Sequence, residues 1–145
     1  MSTYFFDTSA LVKHYRKENG SEFVDSILAN PESDVIISEI AIIEMTSALR
    51  RLHKLGEISD KTFTLALKRF TADTEGVLLV SRFRRNWINS ARELVLQHDL
   101  RTLDALQLAS ALADAVTTSI FVAADEKLLT AAQANGLEIL NPLTA

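Results

Sequence analysis

Read by its apolar and polar positions, the chain alternates short apolar runs with longer stretches of helical periodicity. Tyr4-Phe5-Phe6 is a buried-strand pattern that stops on Asp7, and Thr8 to Lys13 reads as the start of a helix that Asp7 or a following hydroxyl can cap. Gly20-Ser21 marks a break, after which Glu22 to Ala29 predicts a short amphipathic helix ending before Pro31. Val35-Ile36-Ile37 predicts a second strand, closed by Ser38. From there Ile42, Met45, Leu49 and Leu52 recur at helical spacing up to Gly56, which predicts one long helix with a core-facing stripe.

A further helix is predicted from Ser59, with Phe63, Leu67 and Phe70 on one face and Asp73 near its end. Gly76 introduces Val77-Leu78-Leu79-Val80, which has the length and composition of a buried strand. Asn86 to Gln97 is helical, with Trp87, Ala91, Leu94 and Val95 as its apolar face, and Thr102 opens an alanine-rich helix to about Ala115. Ser119 to Ala124 predicts a fourth strand ending on Asp125. A helix over Glu126 to Asn135 and a fifth strand over Leu137 to Leu140 complete the pattern.

Strands separated by helices predict an α/β fold with a parallel sheet covered on both faces. No repeat and no Gly, Ser or Pro-rich linker divides the chain, so residues 1–145 are expected to form one domain. In such sheets ligands bind outside the carboxyl ends of the strands where the strand order reverses, and strands ending on Asp7 and Asp125 would bring both acids there.

Composition narrows the chemistry. The absence of cysteine excludes thiolate metal sites and thiol nucleophiles and points to a reducing compartment. With 48% apolar residues the chain has the content of a well-cored globular protein, and charge breaks every apolar run short of a membrane span. No secretion signal is legible at the N-terminus, so a soluble cytoplasmic protein is expected. A net charge of −4 is not that of a protein gripping nucleic acid over a broad surface. Local arginine clusters at Arg50-Arg51 and at Arg82, Arg84 and Arg85 beside Trp87 could be either solvated helix faces or phosphate contacts, and a nucleic-acid groove is sought near the second.

The acids carry the strongest signal, although each has a structural reading of its own. Asp7 and Asp125 could cap the helices that follow them, unless Thr8 or Ser9 caps the first and leaves Asp7 free. Glu44 lies between Ile43 and Met45, where a buried carboxylate must be paired, hydrogen-bonded or metal-bound, with Arg50 or Arg51 as candidate partners. Asp104 lies in a first helical turn, where the helix dipole favours an acid. Taken as a set, the four would repel one another, and a divalent ion would remove the conflict. Oxygen-only ligation suits Mg²⁺ or Mn²⁺, and such ions activate water and stabilise leaving oxygens in phosphodiester hydrolysis. His14, His53 and His98 show no ligand spacing, and there is neither a glycine-rich phosphate loop nor a G-x-S-x-G turn.

The segments YFFDTSALVKHY, SEIAIIEMTSALRR, LRTLDALQLASAL and FVAADEKLLTAAQANGLEILNP, in that order, resemble the PIN-domain ribonucleases, and more narrowly the VapC-type toxins of toxin–antitoxin pairs. Residues from about Ser59 to Trp87 match least. The resemblance implies a three-layer α/β/α domain with a central parallel five-stranded sheet. It also implies an Mg²⁺ or Mn²⁺ pocket formed by Asp7, Glu44, Asp104 and Asp125, with Asp7 and Asp104 the most direct ligands. Ser9, ahead of Thr8, would hydrogen-bond near the ion. It further implies an endoribonuclease acting on structured RNA such as transfer or ribosomal RNA, a homodimer, and a cognate VapB-like antitoxin as partner. Two other readings stand beside it. One is a phosphatase of the haloacid-dehalogenase kind, which usually needs a second aspartate where this chain has Ser9; the other is a non-catalytic module that binds a basic partner tail.

Overall fold

The computed structural model describes residues 2–114 and 119–145. Five strands, β1 (Ser2–Phe6), β2 (Ser33–Ser38), β3 (Leu79–Ser81), β4 (Ser119–Val122) and β5 (Glu138–Leu140), form one sheet in the order β3-β2-β1-β4-β5, and every pair is parallel. Between them run α1 (Thr8–Tyr15), α2 (Ser21–Ala29), α3 (Ile40–Lys54), α4 (Asp60–Thr74), α5 (Asn86–His98), α6 (Thr102–Asp114) and α7 (Glu126–Ala134). This is the expected three-layer α/β/α arrangement.

Alternation along the central strands builds the two cores. Successive strand residues face opposite sides, so Phe5 and its neighbour Phe121 enter one core while Phe6 and its neighbour Val122 enter the other. Helices α1 to α4 cover the Phe6 face, through residues such as Leu11, Val24, Met45 and Phe70. Helices α5 to α7 cover the Phe5 face, through Trp87, Leu94, Leu108 and Leu128. Each of these fully buried large side chains contributes roughly 1.5–3 kcal/mol of burial free energy.

Strand order reverses at β1: β2 and β3 extend the sheet to one side, and β4 returns to the other. The crevice of such a sheet lies at this switch, outside the carboxyl ends of β1 and β4. Asp7 follows the last residue of β1, and its backbone N–H continues the pairing by donating to Val122 O at 2.9 Å. Asp125 follows β4 by three residues, at the start of α7.

Four expectations need correction. The strand expected as buried over 77–80 begins only at Leu79, and Val77 and Leu79 are exposed while Leu78 is buried. β3 is an edge strand paired to β2 alone, so one side of it meets solvent. On α3 the buried line is Ala41, Met45 and Leu49, with Leu52 half-buried and Ile42 about a third exposed. The small Ala41 is the residue that faces the core one turn before Met45. Val95 is likewise exposed beside buried Trp87, Ala91 and Leu94, which lie at positions i, i+4 and i+7 of one helical stripe. Finally, Thr8 and Ser9 are the first two residues of α1 and do not cap it; Asp7 does. The expected end of α6 at Ala115 lies outside the described residues.

Candidate active site

The mouth of the sheet holds a cleft of about 520 Å³ whose wall includes Asp7, Ser9, Glu44, Asp104 and Asp125. All four acids singled out in the sequence therefore reach one cavity, each from a different element. Asp7 stands between β1 and α1, Glu44 on α3 and Asp104 in the first turn of α6, while Asp125 caps α7.

Asp7 is the innermost. Its Oδ2 accepts from the Ser9 hydroxyl at 2.6 Å and the Ser9 backbone N–H at 3.1 Å, so the residue is both the cap of α1 and a wall of the cleft. The Ser9 Oγ in turn accepts from the Ala124 N–H at 3.0 Å, which fastens the start of α1 to the chain leaving β4. Burial raises the Asp7 carboxyl to about 6, against the opposing effect of the two Ser9 bonds and with added repulsion from Glu44 and Asp104.

Glu44 has a different partner from the one its sequence neighbours propose. Its Oε1 accepts from Gln107 Nε2 at 2.6 Å and from the Thr8 hydroxyl at 3.4 Å. Gln107 Nε2 also approaches Thr8 Oγ1 at 3.2 Å. Arg50 instead turns to His53 Nδ1 at 2.8 Å, and Arg51 lies on the cleft wall. Because its partners are neutral, desolvation dominates and raises the Glu44 pKa, with Asp104 adding to the rise and the two hydrogen bonds opposing it.

Asp104 is also raised, first by burial, and Asp125 pushes in the same direction while Arg101 pushes against it. Arg101 Nε lies 3.5 Å from Asp104 Oδ2, and its Nη2 lies 4.0 Å from Asp125 Oδ2. Asp125 Oδ1 caps α7 by accepting from the Leu128 N–H at 3.2 Å.

The donors fall unevenly on these carboxylates. Both Ser9 bonds land on one oxygen of Asp7, and both Glu44 bonds land on one oxygen of Glu44. Among the described residues no protein donor takes up Asp7 Oδ1 or Glu44 Oε2. Among those residues, too, no three acids or histidines are drawn together closely enough to hold one ion jointly. Such a donor set fits Mg²⁺ or Mn²⁺ held by one or two carboxylates, with water or substrate phosphate completing the shell.

Sequence reasoning missed Gln107, which is fully buried and has its Oε1 without a partner. The available signal was a lone amide between Leu106 and Leu108, three residues after Asp104 and so on its side of the helix. It also missed Arg101. The arginines at 82, 84 and 85 are exposed beyond β3 and are not on the cleft wall. The histidines stand away from it as well: His14 bonds Asp25, His53 bonds Asp60, and His98 meets Asn135.

A protein-family model described as PIN domain matches residues 4–134. No curated protein sequence matches the chain. Among solved structures, a protein of Pyrobaculum aerophilum superposes with a TM-score of 0.71 at 17% identity, covering 99% of this chain and 91% of its own. A VapC toxin of Mycobacterium tuberculosis, described as cleaving the sarcin-ricin loop, gives 0.68 at 18% identity over 94% and 96% of the two chains. A VapBC complex of Rickettsia felis bound to promoter DNA gives 0.67 at 18% identity over 96% and 98%. At these identities the shared property is the fold.

Proposed function

From the fact that this chain belongs to the PIN domain family, we propose that it is a divalent-metal-dependent endoribonuclease that hydrolyses RNA phosphodiester bonds in its acid cleft. The single observation that carries the reading is the convergence of Asp7, Glu44, Asp104 and Asp125 on one cavity. Burial holds three of them above their ordinary pKa values. Asp7 and Asp125 also cap helices, but capping does not account for Glu44 and Asp104 on the same cavity wall.

In this proposal Asp7 and Asp104 are the direct ligands of Mg²⁺ or Mn²⁺, and Glu44 and Asp125 complete the acidic set. When bound, the ion supplies water activation and charge stabilisation at the phosphate. The protein's own part is orientation. Ser9 fixes one oxygen of Asp7 and leaves the other without a protein donor among the described residues, and Gln107 and Thr8 do the same for Glu44. With its raised pKa, Glu44 is suited to accept a proton from the attacking water. Ser9 acts on Asp7 and does not itself react, which also argues against the dehalogenase-type alternative.

The toxin–antitoxin character of several neighbours in fold supports a narrower role. In it the protein is the toxin of a VapBC-type pair, a cytoplasmic homodimer blocked by a VapB-like antitoxin. Its RNA would be a structured one such as transfer or ribosomal RNA. The primary test is cleavage of total RNA by the purified chain with Mn²⁺ and with excess chelator. Cutting that requires the ion is expected; equal cutting in chelator, or none with Mn²⁺, contradicts the proposal.

A further inference from the structure

An RNA strand entering this cleft meets four carboxylates, so its phosphates need positive partners beyond any ion the acids hold. The chain as a whole supplies little attraction, with a net charge of −4. Affinity for a polyanion must then come from a few well-placed cations. Two arginines lie on the cleft wall itself. Arg51 sits on α3 seven residues beyond Glu44, two helical turns along the same face, and Arg101 lies directly before α6, three residues ahead of Asp104.

The other arginines near this end of the molecule are engaged or elsewhere. Arg16 pairs with Glu18 at 3.3 Å and Glu57 at 3.6 Å. Arg50 bonds His53 and lies 6.0 Å over the Phe63 ring. Arg85 lines a separate hollow with Asn86, Ile88 and Asn89. By contrast Arg51 is exposed, and the Arg101 side chain is 84% exposed. The approaches of Arg101 to Asp104 and Asp125, at 3.5 and 4.0 Å, are longer than the roughly 2.7–2.9 Å of a formed charge-assisted hydrogen bond. Arg101 therefore makes two long ion pairs with the acids from a largely exposed side chain, contacts that a phosphate can replace.

We infer that Arg51 and Arg101 are the phosphate-binding residues of the cleft, gripping RNA phosphates that adjoin the bond to be cut. The inference rests on the nuclease reading. A guanidinium presents a planar fork that matches two phosphate oxygens, a geometry a lysine cannot reproduce. Placed beside the acids, the two forks would draw the backbone to them while leaving the free carboxylate oxygens for the ion. They also assign the RNA path to the α3 and α6 walls and away from the arginine-rich turn after β3.

The test uses the full chain carrying Asp7→Asn, to prevent cutting, and a short fluorescein-labelled single-stranded RNA read by fluorescence anisotropy across a salt series. Adding Arg51→Gln or Arg101→Gln should weaken binding about tenfold. Each should also reduce the slope of log K against log salt by about 0.7, the value for one lost phosphate contact on a single strand. Arg84→Gln serves as control and should change neither. Because both cleft arginines are exposed, circular dichroism melts of the variants should overlay the parent. Unchanged slopes for both variants, with the unmodified chain cutting RNA, would overturn the arginine assignment and leave the nuclease reading intact. Failure of the unmodified chain to cut any RNA with Mn²⁺ overturns the nuclease reading and the assignment with it.

Discussion

Asp7 caps α1 with a carboxylate whose charge its surroundings oppose. Its Oδ2 caps α1, while its burial and its acidic neighbours oppose its charge and raise it to about 6. In the unfolded chain the same carboxyl ionises near 3.8. The folded state therefore binds this proton more tightly than the unfolded state. Metal-free stability should fall as pH rises from about 4 to about 6, by roughly 3 kcal/mol from this group alone. Asp7→Asn keeps an oxygen for the cap and should remove most of that fall, which urea denaturation at pH 4 and pH 7 in chelator will measure. At the proposed metal site protons and the ion would compete for the same oxygens, so Mn²⁺ affinity should weaken as pH drops below about 6. Gln107 makes a companion case. Gln107→Leu leaves Glu44 with Thr8 alone, and such supporting contacts are typically worth roughly 10–100-fold in metal affinity or activity. Calorimetric titration with Mn²⁺ will show whether this chain follows that pattern.

Among the elements, the turn before α2 has the most restricted backbone. Gly20 has φ +90°, and a Cβ there would lie 3.1 Å from Pro142 Cβ and O and 3.2 Å from Lys13 Cδ. Gly20→Ala should cost at least about 1–2 kcal/mol, seen as a lower urea midpoint with unchanged slope. Element order was largely legible in the sequence because the apolar period changes cleanly between strands and helices, as at Ile37 to Met45 and at Leu108 to Phe121. Ser59 marks a helix start as expected, accepting from Thr62 N, and Ser38 closes β2 as expected, two residues before α3 begins. What one-dimensional pattern could not show was position in the sheet. Val77 and Leu79 look as apolar as the central strands, yet β3 is an edge. That the four acids would line one cleft was legible in the sequence, whereas their partners were not. Gln107 joins Glu44 across 63 residues, a pairing that exists only once α3 and α6 face each other.

For the molecule as a whole, the parallel order places the four-acid cleft at the carboxyl ends of the strands. None of the described helices is long and apolar enough to cross a membrane. The cleft should couple ion binding to global stability, because an ion bound only by the folded state adds RT ln(1 + [L]/Kd). At about a hundredfold excess over Kd that amounts to ~2.7 kcal/mol, enough to raise the melting temperature by several degrees. Differential scanning fluorimetry over a Mn²⁺ series should show this rise in the parent chain and little of it in Asp7→Asn.

The most direct measurement compares the parent chain and Asp104→Asn for RNA cleavage with Mn²⁺ at equal concentration. Asp104 is only part-buried and takes no cap bond, so the substitution removes the burial of a charge and the repulsion from Asp125 at the loss of the long Arg101 pair, and metal-free stability should stay unchanged or rise slightly. A folded Asp104→Asn protein that cuts at least about a hundredfold more slowly is the predicted result, in line with the several kcal/mol such sites supply to the transition state. Undiminished cutting by that folded variant would contradict the account.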